Sequence, residues 1–377
     1  MEAYKLAAKG KKSRRAIKRF YKDFDNNLAK IQHALRTRQF TTSAYREKTI
    51  FEPKKRTIYV LPFPDRIVHH ALMNICEPII DKRFYEYSLS CRPGKGIHKG
   101  LKYVQDKIRA NNYAWKFDVS KFYPSINHDL VYGQVCSVFK DPFVLWLFKD
   151  IIYSIDGETN MPIGNYVSQW LGNLYLNGLD IFIKEELKIR DYVRYCDDFI
   201  IFSKTPIDEE GIVKRIIDFL WDKLKLLPSQ SYGIDLVGGE PIDFLGYKVY
   251  KDGRTQLRDT SKKRFKNHVK FLYYALHHKV MSLDYIRSSL YSMHGWIKYT
   301  KFDTLGPMTT LYKLEDELHI AERYGVDTLN RVRGSDKYDY DPKTGLYLSR
   351  DLEKNRKLLR HINWFAADKR KIPINYR

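Results

Sequence analysis

The chain is short of cysteine, of acidic residues and of long apolar runs, and each shortage narrows what it can be. Its four cysteines (Cys76, Cys91, Cys136, Cys196) show no CxxC or Cys/His ligand spacing, which argues against a structural zinc and against a disulfide framework. Reduced thiols, buried or incidental, are expected. No stretch approaches about 18 uninterrupted apolar residues, and the opening MEAYKLAAKG has no apolar signal core, so the expectation is a cytoplasmic protein with no membrane partner. Against 67 Lys+Arg stand only 45 Asp+Glu, a formal charge of +22 across 377 residues. That charge is spread along the chain, with concentrations in KGKKSRRAIKR and SKKRFKNHVK, and it favours a polyanionic partner, nucleic acid foremost. No repeat or low-complexity segment appears. What remains is 44% apolar and 15% aromatic, ample for two or three packed units.

Periodicity organises the chain into an α+β fold. Ile17, Phe20, Phe24, Leu28, Ile31 and Leu35 recur at steps of three and four, predicting one basic N-terminal helix within a segment 1–48. Residues 49–112 mix a short strand, RTIYVL, with the helical DRIVHHALMNICEPII and the glycine-broken loop CRPGKGIHKG. From 113 to 256 the strand signals YAWKFDV, DYVRY, FIIFS and DFLGYKVY alternate with helices, including HDLVYGQVCSVF after an Asn127 cap. Helical spacing returns over 257–325, where Phe265, Val269, Leu272 and Leu276 share one face and Leu283, Ile286 and Leu290 another. In the extension 326–377, KYDYDPKTGLY reads as a loop or hairpin and RDLEKNRKLLRHINWF as a basic helix.

The stretch RYCDDFIIF sets Asp197 beside Asp198 inside what otherwise reads as buried strand. Apposed carboxylates withdrawn from water cost several kcal/mol unless something positive accompanies them. A second strand, WKFDVSKFYPSI, delivers Asp118 at its end before turning at Pro124. One carboxylate from one strand and two from a neighbouring hairpin are what a two-metal phosphoryl-transfer site needs, with triphosphate oxygens completing octahedral Mg²⁺. Solvated turn residues are the plainer alternative, since Asp is a common turn former.

At these residues the sequence resembles the reverse transcriptases, in order through most of residues 50–300. FDVSKFY is similar to their first carboxylate motif, PIGNYVSQ to the segment before the catalytic hairpin, YCDD to the hairpin and FLGY to the primer grip. RPGKGIHKG resembles a loop of bacterial retroelement enzymes. The resemblance implies a right-hand polymerase: fingers in 49–112, palm in 113–256 with an interleaved fingers segment, a helical thumb in 257–325. It implies an RNA-directed DNA polymerase, with Asp118, Asp197 and Asp198 catalytic, two Mg²⁺ ions (Mn²⁺ able to substitute) held by these and by Val119, and template RNA, a DNA or RNA primer, cDNA product and dNTPs as partners. Where retroviral and group II intron enzymes typically read Q-G-x-x-x-S-P, this chain reads IGNYVSQ, with Ile163 for the glutamine and Gln169 for the proline. That pattern resembles the error-prone enzymes of diversity-generating retroelements, which are bacterial or phage-encoded and work with a small basic helical accessory protein. Antiphage-defence reverse transcriptases share much of it, and a polymerase fold that only grips RNA is a further alternative.

The same resemblance distributes the remaining roles. Tyr123 stands where a bulky side chain would clash with a ribose 2′-hydroxyl, although an aromatic after a strand is also ordinary core. Ile163, with Gly164 and Gln169, is expected near the incoming nucleotide, where an aliphatic side chain lacks glutamine's hydrogen bonds; a plain loop residue is the alternative. Arg56 is expected to hold triphosphate oxygens, with Lys54 and Lys55 as rivals. Arg92 either contacts template backbone or stabilises its own loop. Phe244, Leu245, Gly246 and Tyr247 would grip the primer, and Lys262, Lys263 and Arg264 a duplex backbone. The general-acid lysine is unassigned, with Lys223 and Lys225 nearby in sequence.

Overall fold

A computed structural model describes residues 1–51, 55–300, 306–324, 338–341 and 346–349. The chain divides into two compact units, Met1–Leu245 with Val249–Asp252, and Gly246–Lys248 with Gly253 onward.

The first unit is built on a four-stranded antiparallel sheet. Its strands are β3 (Tyr113–Val119), β4 (Tyr192–Tyr195), β5 (Asp198–Ser203) and β6 (Pro228–Asp235), in spatial order β4-β5-β3-β6. Alternation along β3 gives the sheet two faces. Phe117 and Val119, with Phe199 and Ile201 of β5, enter the main apolar core together with Tyr192, Trp170, Phe148, Ile183 and Leu220. Ala114, Lys116 and Asp118 point to the other face. The helices Phe63–Asp81, His128–Val138, Pro142–Ile152, Tyr166–Tyr175 and Lys214–Leu224 contribute further side chains to this core. Asn127 caps His128–Val138 as its position in the sequence predicts, accepting from Leu130 N–H at 3.0 Å. A separate antiparallel hairpin, β1 (Arg46–Ile50) with β2 (Arg56–Val60), precedes the long helix Phe63–Asp81.

Two local expectations are corrected. The N-terminal stripe is carried by two helices, Arg15–Lys22 and Phe24–Arg36, because Asp23 leaves helical geometry at φ −132°, ψ 57° and the Asn27 amide bonds the Phe20 carbonyl. The break lets Ile17 and Phe20 join Ala7, Ala8, Phe63 and Ile67 in a small second core, while the following helix buries no residue fully. DFLGYKVY is likewise interrupted. Leu245 and Gly246 both take positive φ, 54° and 89°, the two-residue geometry of a tight reversal, and they separate the short strands Ile242–Phe244 and Tyr247–Val249.

In the second unit the helices Asp259–His277, Leu283–Ile297 and Gly306–Tyr324 carry apolar faces that include Phe265, Val269, Leu272 and Leu276, then Ile286, Leu290, Met293 and Ile297, then Leu311, Leu314 and Leu318. Buried Glu317 accepts hydrogen bonds from the Tyr273 hydroxyl and bonds His277 Nε2, each at 2.8 Å. An antiparallel strand pair, Tyr338–Asp341 with Leu346–Ser349, begins within KYDYDPKTGLY and ends two residues beyond it. The basic helix expected after it lies outside the described residues. Among the described residues no helix is long and apolar enough to cross a membrane.

Replacing Asn127 by Ala removes the only side-chain partner of an end-of-helix N–H and should lower the unfolding free energy by about 1 kcal/mol, read by urea denaturation.

Candidate active site

The β3–β5 register sets Asp118 directly opposite Asp198, and β4 pairs Tyr195 with Asp198, so Cys196 and Asp197 form the turn of the β4–β5 hairpin. Three carboxylates thus gather at one end of the sheet. Like charges opposed across a ladder destabilise it, and the surroundings answer that repulsion only in part. Lys116, on the same face as Asp118 two residues earlier, brings its ammonium to 3.3 Å from Asp198 Oδ2 and donates to the Asp243 carbonyl at 2.7 Å. Asp118 Oδ2 accepts from the Ser229 hydroxyl at 2.6 Å. Asp198 Oδ1 is buried with no hydrogen-bond partner.

Burial therefore pushes the Asp198 carboxyl up from 3.8 to about 7, with Asp118 and Asp197 adding to the rise and Lys116 opposing it. Asp197 is also raised, again chiefly by burial, with Asp118 contributing and Arg56 opposing. An orphaned, buried carboxylate oxygen amid like charges is what a hard cation would relieve, so the residues fit a divalent ion. Among the described residues no three His, Cys, Asp or Glu side chains are placed to hold a metal by themselves. A Mg²⁺ here would complete its shell with phosphate oxygens and water, as it commonly does. Val119 is buried next to a register irregularity on the β6 side and would offer only its carbonyl.

Of the nucleotide-side expectations, Tyr123 and Arg56 interact with the carboxylate turn. Tyr123 is half-buried, its hydroxyl 3.6 Å from Cys196 Sγ, and its ring packs so closely on Gly172 that a Cβ there would sit 3.2 Å from it. Arg56 is exposed at the start of β2 and acts electrostatically on Asp197. Lys55 is exposed; Lys54 lies outside the described residues. The Ile163 carbonyl accepts from Tyr59 N–H at 2.8 Å. Gly164, at φ +121°, has no room for a side chain, since a Cβ would stand 2.6 Å from the Tyr59 carbonyl oxygen. The hairpin carrying Arg56 and the turn carrying Ile163 are thereby locked together by backbone. Gln169 is exposed on the helix that follows.

The family profile described as reverse transcriptase (RNA-dependent DNA polymerase) matches residues 46–249, more than half of the chain. The chain belongs to the reverse transcriptase family. It is 22% identical over 286 residues to the group II intron-encoded protein LtrA of Lactococcus lactis subsp. cremoris, covering 57% of this chain and 48% of that protein. It is 32% identical over 87 residues to nuclear intron maturase 1, mitochondrial, of Arabidopsis thaliana, covering 23% of this chain and 12% of that one. The chain thus spans at most about half the length of these relatives. Among solved structures, apo telomerase from Candida tropicalis truncated from its C-terminal domain aligns with a TM-score of 0.46 at 14% identity, covering 58% of this chain and 55% of that chain.

Burial bears on the other expected contacts of this chain. Arg92 does not reach outward: its side chain is 4% exposed, paired with Asp81 at 2.5 Å and donating to the carbonyls of Tyr85 and Ser88 at 2.7 Å. Of the two roles the sequence left open for Arg92, this geometry matches stabilisation of its own loop. Phe244 and Tyr247 are both buried, so their side chains are not free to touch a primer, whereas Leu245 and Gly246 in the turn between them are half-exposed. Lys262, Lys263 and Arg264 occupy the first turns of Asp259–His277, with Lys263 and Arg264 exposed. Lys223 is exposed in the last turn of Lys214–Leu224 and Lys225 follows it in left-handed geometry. Sequence reasoning missed Lys116 and Ser229. A lysine two residues before Asp118 in an otherwise apolar strand was a readable signal for the first; nothing local marked the second.

Two outcomes follow from this geometry. Asp198's raised pKa means that its ionisation costs the folded state more than the unfolded one, so the stability it contributes when neutral is lost as pH rises from about 4 through 7. In metal-free protein Asp198→Asn should therefore raise the melting temperature more at pH 8 than at pH 5, and Mg²⁺ should shrink the gain. Arg92→Ala should cost about 2 kcal/mol or more in stability, while RNA affinity of the folded protein, measured by filter binding, stays unchanged.

Proposed function

We propose that this protein synthesises complementary DNA on an RNA template, with Asp118, Asp197 and Asp198 as its metal-binding carboxylates. The observation that carries the reading is the opposition of Asp118 and Asp198 across β3 and β5, with Asp197 in the adjoining turn and Asp198 Oδ1 left without a partner. Two divalent cations bound there would acidify a primer 3′-hydroxyl and neutralise charge on the triphosphate.

The chain's own groups do the rest. Ser229 holds one oxygen of Asp118 and leaves the other for a ligand, while Lys116 tempers the negative charge on Asp198 from below. Arg56, exposed and electrostatically coupled to Asp197, is suited to bridging two phosphate oxygens of a nucleotide. The Tyr123 ring, immobilised on Gly172, would exclude a ribose 2′-hydroxyl by contact. The locked Ile163–Gly164 turn would shape the nucleotide's other side, with Gln169 on the helix after it. The Leu245–Gly246 backbone would approach a primer, and Lys262, Lys263 and Arg264 would contact duplex phosphates, making affinity salt-dependent.

The finer reading is an error-prone reverse transcriptase of a diversity-generating retroelement, aided by a small basic helical accessory protein. Ile163 and Gln169 in IGNYVSQ support it: an aliphatic side chain removes hydrogen bonds that would otherwise discriminate among base pairs. A second reading is favoured by the relatives, which are intron-encoded proteins and intron maturases: an enzyme that copies intron RNA. Antiphage defence would share the same chemistry.

Primer extension on an RNA template, with each deoxynucleotide supplied singly, separates these. Asp197→Ala and Asp198→Ala should reduce extension to background; extension persisting in them would sink the catalytic assignment. Misincorporation chiefly opposite adenine is expected for the diversity-generating reading, and faithful extension would move the assignment to intron or defence roles. Tyr123→Ala should raise ribonucleotide use about tenfold or more relative to deoxynucleotide.

A further inference from the structure

Beneath the carboxylate turn lies an ion pair that the chemistry above does not use. Arg194 of β4 is completely buried and forms a two-pronged bond with equally buried Asp180, Nε to Oδ1 at 2.7 Å and Nη2 to Oδ2 at 2.5 Å. The Tyr192 hydroxyl donates to the same Asp180 Oδ1 at 2.6 Å. The remaining nitrogen, Nη1, donates to Asn173 Oδ1 at 3.2 Å and to the Cys196 carbonyl at 3.1 Å.

That last bond matters because of where it lands. Cys196 is a non-glycine residue at φ 59°, a left-handed conformation that costs roughly 1 kcal/mol or more for a residue with a Cβ. Its carbonyl belongs to the peptide that leads into Asp197. A conformation of this kind persists only where its surroundings impose it, and the guanidinium is the group that grips the peptide. Arg194 also ties the turn to the loop that Arg92 stabilises: its backbone N–H donates to the Tyr87 carbonyl at 3.0 Å, its carbonyl accepts from Leu89 N–H at 2.9 Å, and Asn173 donates to the Ser90 carbonyl at 2.7 Å.

We propose that Arg194 is the positioning residue of the carboxylate turn, its guanidinium fixed by Asp180 and Asn173 so that the Cys196 carbonyl, and with it the direction of Asp197, is held before any cation arrives. The proposal rests on the metal-binding reading of Asp118, Asp197 and Asp198. It gives the buried pair a purpose other than stability, for which such a pair is a poor device: its desolvation cost commonly matches its attraction.

The same principle supplies the test. Removing Arg194 alone would strand a buried carboxylate and unfold the protein, whereas the apolar triple replacement Arg194→Met, Asp180→Leu, Tyr192→Phe removes every charge and the dependent hydroxyl together and should fold. A second variant, Arg194→Lys, keeps the charge against Asp180, yet a single ammonium cannot also reach Asn173 and Cys196. Three quantities are read on each: amide hydrogen exchange over residues 195–199 without metal, Mn²⁺ affinity by calorimetry, and kcat and KM for primer extension. In both variants the expected result is faster exchange confined to the turn, Mn²⁺ affinity and kcat each down about tenfold or more, and nucleotide KM changed less than about threefold. Wild-type exchange, Mn²⁺ affinity and kcat in a folded variant overturn the proposal, as does full rescue by lysine, which would reduce Arg194 to a counter-charge. Asp118→Asn in the otherwise native chain checks the underlying reading separately: undiminished Mn²⁺ affinity there refutes the metal site, while the exchange result still judges the turn.

Discussion

Two carboxylates placed directly opposite each other on neighbouring strands, Asp118 and Asp198, are the constraint around which the first unit is organised. Their repulsion is imposed by register and cannot relax without breaking the ladder. The apolar face of the same strands, through Phe117, Val119, Phe199 and Ile201, is committed to the core, and a slip by one residue would turn that face to the other side. The hydrophobic effect thus holds the charges together against their own electrostatics. Lys116 and Ser229 each offset part of the repulsion, and one Asp198 oxygen remains buried without a partner.

Positive charge is used in two distinct ways. Arg194 and Arg92 are interior residues: each is consumed by a carboxylate and by loop carbonyls, and together they fasten the 87–92 segment, the helix Tyr166–Tyr175 and the β4–β5 hairpin into one frame. Arg56, Lys263 and Arg264 are exposed. Guanidinium suits the first task because its planar fork satisfies several acceptors at once in fixed directions. The net charge of the chain describes only the second group.

How much was legible in the sequence follows from this division. The strands YAWKFDV, DYVRY and FIIFS, the Asn127 cap and the helical faces of the second unit could be read because local periodicity and capping chemistry act over a few residues. Asp118, Asp197 and Asp198 were legible as a set because acidic residues at the ends of apolar strands are conspicuous. Arg92 could not be assigned between its two readings, and Phe244 and Tyr247 misled: polar or aromatic residues in a glycine-punctuated loop look available to a ligand, and burial is a property of what folds over them. The single N-terminal helix failed for a related reason, since periodicity continued across Asp23 while the small core formed with Phe63 and Ile67 required a bend.

By itself the sequence determined the α+β fold class, the excess of positive charge and the candidate set of three carboxylates, because these rest on composition, periodicity and residue chemistry carried within short stretches. Tertiary structure alone decided that Asp118 faces Asp198, that Lys116 and Ser229 attend them, that Arg56 feels Asp197, and that Arg194 is spent on Asp180 and the Cys196 carbonyl. Strand register and burial join residues up to more than a hundred positions apart, and electrostatic energies depend on those distances and on the exclusion of water, neither of which is written in any local segment.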